Sequence, residues 1–164
     1  MDVVIAFLHG DLEEEVYIRQ PKGFEKDNDM VCHFHKALCG LKHASRTWYQ
    51  KIDSFLLKEN FTRIESDHSV YKKICDNSLL IVAIYVDDLI IISGNLKVIL
   101  DFKHRLSLEF SMKDLGEANY ILGIKIHKNR SKLELLLSQE NYLKNVLKKY
   151  KMEERKNRWI SHGP

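Results

Sequence analysis

The segment Leu79–Ser93, LLIVAIYVDDLIIIS, places two adjacent aspartates between two runs of β-branched and other apolar residues. Such runs predict two strands, Leu79–Tyr85 and Leu89–Ile92, joined through the intervening Val-Asp-Asp. Moving an ionised carboxylate into an apolar interior costs on the order of several kcal/mol unless another group compensates its charge. Asp87 and Asp88 therefore form either a solvated turn or a site where a cation supplies the compensation.

The two acids lie at the connection between two strands, and this position affects whether both could bind one cation. In a flat strand Asp87 and Asp88 would point to opposite faces, but the tip of a hairpin breaks this alternation. A rigid hairpin with acids at its tip suits Mg²⁺, which takes oxygen ligands and retains some waters. A plain turn remains the alternative, because Asp is common in turns. Holding two ions about 3.5–4 Å apart would need a third acid from elsewhere in the chain.

Composition limits the class of protein without identifying it. With 164 residues, 45% apolar and 30% charged, the chain is long enough for one domain with a core. The net charge of +3 is too small to indicate a nucleic-acid binder, and the basic run from Lys144 to Arg158 is typical of a solvated helix face. We find no signal peptide, and the apolar run is too short to span a membrane, so the sequence predicts a soluble, intracellular protein.

Three cysteines, at positions 32, 39 and 75, form an odd set without paired zinc-ligand spacing, which favours reduced thiols. The run Cys-His-Phe-His that begins at Cys32 resembles a ligand set. In a strand, however, its two histidines share one face and the cysteine lies on the other, which argues against a metal site.

Hydrophobic periodicity predicts an α+β chain, with an antiparallel sheet that carries helices on one face. Beyond the central strands we expect a short strand at Val16–Ile18, a helix over Ala44–Asn60, a helix from the cap Asn95 to Phe110, a hairpin of Tyr120–Ile126 with Leu133–Leu137, and a last helix capped by Ser138. We expect that last helix to turn four apolar residues inward, namely Tyr142, Val146, Leu147 and Tyr150.

Several motifs along roughly residues 1–150 follow one another in the chain order of the reverse transcriptase of copia-type LTR retrotransposons, which they resemble. Tyr85–Asp88 between apolar strands resembles the catalytic motif of reverse transcriptases, and Asp2–Leu12 is similar to the family's first catalytic motif. Leu38–Tyr49 resembles the family element LYGLKQAPRxWY. The remaining matches are Tyr17–Phe24, Ser66–Tyr71, Met112–Gly116, Tyr120–Ile124 and Leu137–Tyr142.

The resemblance implies the palm of a right-hand polymerase fold and RNA-directed DNA polymerase chemistry. Asp2, Asp87 and Asp88 would be the catalytic acids and would ligate two Mg²⁺ ions, with Mn²⁺ as an alternative ion. The implied partners are an RNA template, a DNA primer and deoxynucleoside triphosphates, with no membrane.

The same resemblance assigns roles to further residues. The implied nucleotide-binding residues are Phe7, Gly40, Leu41, Lys42 and Tyr85, and the implied primer grip is Leu122 and Gly123. Lys113 would be a proton donor to the leaving pyrophosphate; an exposed lysine at the end of a helix is the alternative interpretation.

Departures from the family pattern support a second hypothesis. Residues 1–150 are expected to form the palm region, without the fingers and RNase H regions of the polyprotein, and 151–164 a divergent basic tail. Asp2 is expected on a frayed terminus without the strand that leads into it. Val4, Cys39, His43 and Ser45 replace the Lys, Tyr, Gln and Pro of the family. The alternative function is thus a catalytically dead retroelement remnant that at most binds nucleic acid; a two-metal nuclease or phosphatase is the third.

Overall fold

The computed structural model describes residues 1–26, 29–38, 40–41 and 43–153, without the side chain of Glu13. Cys39, Lys42 and most of the expected tail lie outside the described residues. The chain is a mixed α+β protein that divides into two compact units, Met1–Leu115 and Gly116–Pro164. No helix among the described residues is long and apolar enough to cross a membrane.

The first unit is built around a six-stranded sheet. Its elements, in chain order, are β1 (Asp2–Val3), a 3₁₀ turn (Ala6–His9), β2 (Asp11–Arg19), β3 (Val31–Lys36), α1 (Ala44–Lys58), β4 (Thr62–Ile64), β5 (Asp67–Cys75), β6 (Ser78–Tyr85), β7 (Asp88–Ser93), α2 (Leu96–Glu109) and β8 (Met112–Lys113). The sheet has the order β4-β5-β6-β7-β1-β8 and every neighbouring pair is antiparallel, while β2 and β3 form a separate antiparallel ribbon.

The core of the first unit lies between one face of this sheet and the two helices α1 and α2. Alternate strand residues are buried, as expected where one face of a sheet is covered. The strand contribution is Val3, Tyr71, Leu80, Val82, Ile84 and Leu89, and the helices contribute Trp48, Ile52, Leu56, Val98, Phe102 and Leu106. The predicted pattern of an antiparallel sheet with helices on one face is therefore present in this unit.

Most predicted elements of the first unit are confirmed. The strands predicted around the acid pair occur as β6 and β7, and the helix predicted over Ala44–Asn60 ends at Lys58. Asn95 caps α2, because its side-chain oxygen accepts from the backbone N–H of Lys97 at 3.0 Å. The strand predicted at Val16–Ile18 is longer and spans Asp11–Arg19.

The second unit contains β9 (Tyr120–Ile121), β10 (Ile124–Asn129), β11 (Glu134–Ser138) and α3 (Glu140–Lys149), with an antiparallel sheet of order β11-β10-β9. The predicted hairpin is present, but a turn at Leu122 and Gly123 divides its first strand, because both residues have positive φ, 48° and 79°. The N-cap of α3 is Gln139, although the hydroxyl of Ser138 accepts from the N–H of Glu140.

The prediction that α3 turns an apolar stripe inward is wrong. The helix has no buried residue, and Tyr142 and Tyr150 are 57% and 65% exposed. A three-stranded sheet and one ten-residue helix supply little surface against which such a stripe can be buried.

The sequence analysis did not find a polar cluster in which the exposed Arg63 contacts the buried residues Asp53 and Tyr71. Arg63 donates from Nε and Nη2 to the two carboxylate oxygens of Asp53, at 2.7 and 2.5 Å, and the hydroxyl of Tyr71 donates to Asp53 at 2.7 Å. The hydrogen bonds from Arg63, followed by that from Tyr71, hold the pKa of Asp53 below its usual range despite burial. Burial raises the pKa of Tyr71, so its hydroxyl keeps the proton it donates.

Replacing Asp53 with asparagine should therefore destabilise the fold and flatten its response to acid. A carboxyl whose pKa is depressed on folding contributes stability above its unfolded pKa, and this is lost as pH falls through the folded pKa. We expect Asp53→Asn to cost about 1–3 kcal/mol near pH 7 and less below about pH 4. Urea unfolding across pH measures this, with Asp101→Asn, at an exposed position of α2, as the control. An Asp53→Asn cost that does not change with pH would contradict the assignment.

Gly10 allows the chain after the 3₁₀ turn to approach α1 closely. A Cβ at Gly10 would lie 2.5 Å from Oγ1 of Thr47 and 3.1 Å from the backbone N of Trp48. Contacts this short force a shift of the helix backbone, because one of the two atoms belongs to the main chain.

Gly10→Ala should destabilise the first unit by roughly 1–3 kcal/mol through overpacking. Gly94→Ala is the matched control, because Gly94 has no positive φ and a Cβ there would meet nothing within 4 Å. Chemical denaturation of both variants distinguishes overpacking from a general effect of replacing glycine; equal stability of the two would contradict the close approach.

Candidate active site

The tip of the β6–β7 hairpin consists of two residues, Val86 and Asp87. The ladder closes with the pair Tyr85 and Asp88, so Asp88 belongs to strand β7 and the turn is shorter than expected. Val86 has a φ of 55°. The preferred two-residue hairpin turns need a positive φ at this first position, which glycine adopts readily and a β-branched residue rarely does. The turn that carries Asp87 is therefore strained, at a cost on the order of 1–3 kcal/mol.

Asp2 lies directly opposite Asp88 across the antiparallel pair β1 and β7. On one side of this pair, Met1 and Leu89 exchange two main-chain hydrogen bonds of 2.8 Å, and on the other the N–H of Val3 donates to the carbonyl of Asp87 at 2.9 Å. Asp2 and Asp88 are therefore a non-hydrogen-bonded pair, the type in which opposing side chains come closest. Both carboxylates lie on one face of the sheet.

The prediction that Asp2 lies on a frayed terminus is wrong. Strand β1 is inserted between β7 and β8, and the N–H of Val4 donates to the carbonyl of Ser111 at 2.8 Å. Main-chain bonds on both sides thus hold the segment, which is short but central in this part of the sheet.

Lys113 extends the row of charges on this face. It lies opposite Asp2 on the other side of β1, so Asp88, Asp2 and Lys113 occupy three neighbouring strands at one level. Lys113 is exposed, as the alternative interpretation predicted, but it lies in strand β8 and not at the end of a helix.

Asp88 interacts unfavourably with the other two acids. Burial raises the pKa of Asp88, and the negative charges of Asp87 and Asp2 raise it further, while the amino group of Met1 partly offsets them. Like charges directly opposite in a sheet are destabilising. A cation at this position would relieve the repulsion.

The donor chemistry of this cluster fits Mg²⁺ or Mn²⁺, because it consists of carboxylate oxygens. Within the described ranges, however, no three His, Cys, Asp or Glu side chains are already arranged to hold a metal ion. The backbone brings Asp2 and Asp88 together and leaves Asp87 beside them at the turn. A bound ion would have to draw the side chains into its coordination sphere.

A profile of the reverse transcriptase (RNA-dependent DNA polymerase) family matches residues 1–161. The chain belongs to the reverse transcriptase family. It is 46% identical over 159 residues to the retrovirus-related Pol polyprotein from transposon TNT 1-94 of Nicotiana tabacum, a match that covers 95% of this chain and 12% of that polyprotein. It is 41% identical over 157 residues to the Pol polyprotein from transposon RE2 of Arabidopsis thaliana, covering 93% of this chain and 10% of the relative.

A third relative, a putative transposon Ty5-1 protein of Saccharomyces cerevisiae, is 35% identical over 145 residues, covering 87% of this chain and 47% of its own length. The resemblance to copia-type retrotransposon reverse transcriptases is therefore confirmed. The chain spans less than half the length of each of these relatives. No solved structure matches it.

The reverse transcriptase residues expected to bind nucleotide lie at separate places in the first unit. Tyr85 is 58% exposed and lies opposite Asp88 at the end of the hairpin ladder. Phe7 lies in the 3₁₀ turn and packs partly against the core. Gly40 has a φ of 96°, which favours glycine, and Leu41 lines a cavity of about 320 Å³ between β2 and the start of α1. Lys42 lies outside the described residues.

The expected primer grip, Leu122 and Gly123, forms the turn between β9 and β10 in the second unit. Glycine is suited to the φ of 79° at Gly123, whereas Leu122 adopts a positive φ that is uncommon for its residue type. Their role at a primer end stays a prediction.

The sequence analysis missed one residue that touches the candidate site. Trp48 lies within the helix predicted over Ala44–Asn60, and its side chain is buried in the core. The indole Nε1–H also donates to the carbonyl of Val86 at 2.6 Å. Periodicity identifies the buried face of a helix, but it carries no signal for a hydrogen bond to a turn 38 residues away.

Because the acids repel, removing one charge should stabilise the metal-free reverse transcriptase chain. Asp88→Asn retains the size of the side chain and removes the cross-strand repulsion with Asp2, so we expect roughly 0.2–1 kcal/mol of added stability. Urea unfolding in a chelating buffer measures the difference, with Asp101→Asn again as the control. Added Mg²⁺ should stabilise the wild-type chain more than the variant; a variant less stable than wild type without metal would contradict the repulsion.

Proposed function

We propose that this chain is the palm region of the RNA-directed DNA polymerase of a retrotransposon Pol polyprotein, with Asp2, Asp87 and Asp88 as its catalytic acids. The observation that carries the proposal is the direct pairing of Asp2 with Asp88 beside the turn that holds Asp87, in a chain of the reverse transcriptase family. The sequence motifs that contain these acids are far apart in the chain, and the fold joins them.

The architecture of the first unit supports the assignment to a palm. Val3 and Leu89 are each 2% exposed and turn toward the helices, so by strand alternation Asp2 and Asp88 lie on the face turned away from α1 and α2. The acids thus stand on a rigid sheet at a place that α1 and α2 do not cover. This is the placement that a primer end and an incoming nucleotide would require.

Three carboxylates that converged on one ion would favour a divalent cation over a monovalent one. Asp2, Asp87 and Asp88 would hold two Mg²⁺ ions. When bound, the ions would activate the primer 3′-hydroxyl and neutralise charge on the phosphates. The chain's contribution is to fix Asp2 and Asp88 through the β1–β7 ladder and Asp87 through its turn.

The remaining residues would act on the substrates around the acids. Tyr85, next to Asp88 in the ladder, and Phe7, near the core, would contact the nucleotide, together with Gly40, Leu41 and Lys42. Lys113, in line with Asp2, would donate a proton to the leaving pyrophosphate, and Leu122 with Gly123 would hold the primer end. In a longer polyprotein, the fingers and RNase H regions would add further contacts with the RNA template and the DNA primer.

The decisive test is Mg²⁺-dependent extension of a DNA primer on an RNA template by the purified 164-residue chain. Asp87→Asn and Asp2→Asn should each reduce extension by at least about 100-fold, because each removes a charge needed for metal binding. Asp101→Asn, on the exposed face of α2, should leave extension unchanged. Extension that survives Asp87→Asn in a folded protein would contradict the role of Asp87.

The same experiment tests the alternative of a catalytically dead remnant. The observations that favour this alternative are the replacements at His43 and Ser45, at the start of α1. A remnant would bind a labelled primer–template without extending it in Mg²⁺ or Mn²⁺, and the aspartate variants would bind equally well. Measurable incorporation of deoxynucleotides would exclude the remnant.

A further inference from the structure

Trp48 connects helix α1 with the turn that carries the acids. Its side chain is 2% exposed, and its Nε1–H donates to the carbonyl oxygen of Val86 at 2.6 Å. An indole N–H is a donor only, and leaving such a buried donor without a partner costs about 1–3 kcal/mol. The bond therefore ties the position of the turn to that of the helix.

The turn needs this stabilising hydrogen bond because its backbone conformation is unfavourable for its residues. Val86 holds a φ of 55° in a loop of two residues, and it is 45% exposed, so packing around its own side chain constrains it little. A strained residue keeps its conformation only where the surrounding structure over-determines it. Two hydrogen bonds act on the loop carbonyls: Trp48 binds that of Val86, and the N–H of Val3 binds that of Asp87.

Trp48 is itself held firmly. Its ring packs edge-on against Phe110 at a centroid distance of 5.4 Å and in a tilted arrangement against His9 at 5.9 Å, and His9 in turn packs edge-on against Phe110 at 5.4 Å. Gly10 approaches the backbone of Trp48 without room for a Cβ. Rings locked in this way make a precise anchor, since the indole cannot rotate away without displacing its neighbours.

The ring contacts of Trp48 also involve the segment that follows Asp2. His9 and Gly10 end the short stretch that begins at Asp2 and runs through the 3₁₀ turn. Trp48 thus touches the segment that follows Asp2 through His9 and the segment that precedes Asp87 through Val86. One buried side chain therefore contacts both the turn beside Asp87 and the 3₁₀ segment that follows Asp2 in the chain.

We propose that Trp48 is a positioning residue that fixes the Val86–Asp87 turn, and with it the carboxylates of Asp87 and Asp88, against the segment that carries Asp2. The effect on polymerisation rests on the proposed function, whereas the effect on the turn does not. The indole would act through the Val86 carbonyl, without contact with substrate or metal.

Trp48→Phe is the informative variant, because it keeps an aromatic ring in the core and removes only the donor and part of the volume. We expect backbone amide hydrogen exchange, measured by NMR, to become about 10-fold faster at Asp88, which closes the hairpin ladder, and at Val3, whose N–H donates to the carbonyl of Asp87. In primer extension kcat should fall about 10-fold with little change in the KM for deoxynucleotide, because geometry and not nucleotide binding is lost.

Phe102→Leu is the matched control for destabilisation. Phe102 is fully buried and packs against Phe61 at a centroid distance of 5.0 Å. The two variants are compared at equal free energy of unfolding, set by denaturant. A structural role alone would give both variants the same exchange rates at the turn and the same kcat, and that result would overturn the proposal.

A second variant tests the link between the indole and the strain at Val86. Glycine adopts positive φ without penalty, so in a Val86→Gly background the turn needs less help from Trp48. We expect Trp48→Phe to change the exchange rates at the turn clearly less in that background than in the wild type. Equal effects in the two backgrounds would show that the indole does not hold the strained residue.

A measurement on the unaltered chain covers the case in which Trp48→Phe fails to fold. The indole Nε1–H of Trp48 should exchange with solvent at least about 100-fold more slowly than that of a free indole, and rapid exchange would overturn the proposal. If no variant or wild-type chain extends a primer, the exchange measurements still decide the role of Trp48. Failure of the polymerase assignment is then distinguishable from failure of this inference.

Discussion

The pairing of Asp2 with Asp88 across the β1–β7 ladder places like charges opposite each other, and the surrounding fold must hold this arrangement. Two carboxylates opposite each other in a ladder oppose the pairing of the strands that carry them. Main-chain bonds join Met1 to Leu89, Val3 to Asp87 and Val4 to Ser111, and they maintain the pairing. The burial of Val3 and Leu89 on the reverse face adds apolar stabilisation. The core under the sheet is thus the source of the free energy that keeps the acids together.

Sequence reasoning succeeded where the relevant interactions are local. The β6–β7 hairpin follows from two apolar runs around a turn signal, and the second helix follows from the cap Asn95 and its periodicity. Such features depend on residues close in the chain, so hydrophobic periodicity and capping residues predict them. The resemblance to reverse transcriptases likewise rests on contiguous motifs.

Sequence reasoning failed where the deciding contact joins residues far apart in the chain, and where an element is too short to show a periodic hydrophobic pattern. Strand β1 has two residues, so nothing in the pattern shows that it lies between β7 and β8, and the expectation of a frayed Asp2 followed from its position in the chain alone. The α3 stripe failed for the opposite reason, since amphipathic spacing shows only which residues could be buried together. The Asp53–Arg63 pair and the Trp48 hydrogen bond depend on side-chain geometry across elements.

The presence of valine at the first position of the turn bears on how such a site holds its shape. Glycine there would relieve the strain but would also widen the range of conformations open to Asp87. Val86 restricts the alternative conformations of the loop. Its own positive-φ conformation is unfavourable, however, so contacts from other elements must maintain it. The indole of Trp48 and the N–H of Val3 provide these contacts from two directions. In the proposed arrangement the fold holds a disfavoured backbone in place, so loss of either contact should loosen the turn that carries Asp87 more than it loosens the core.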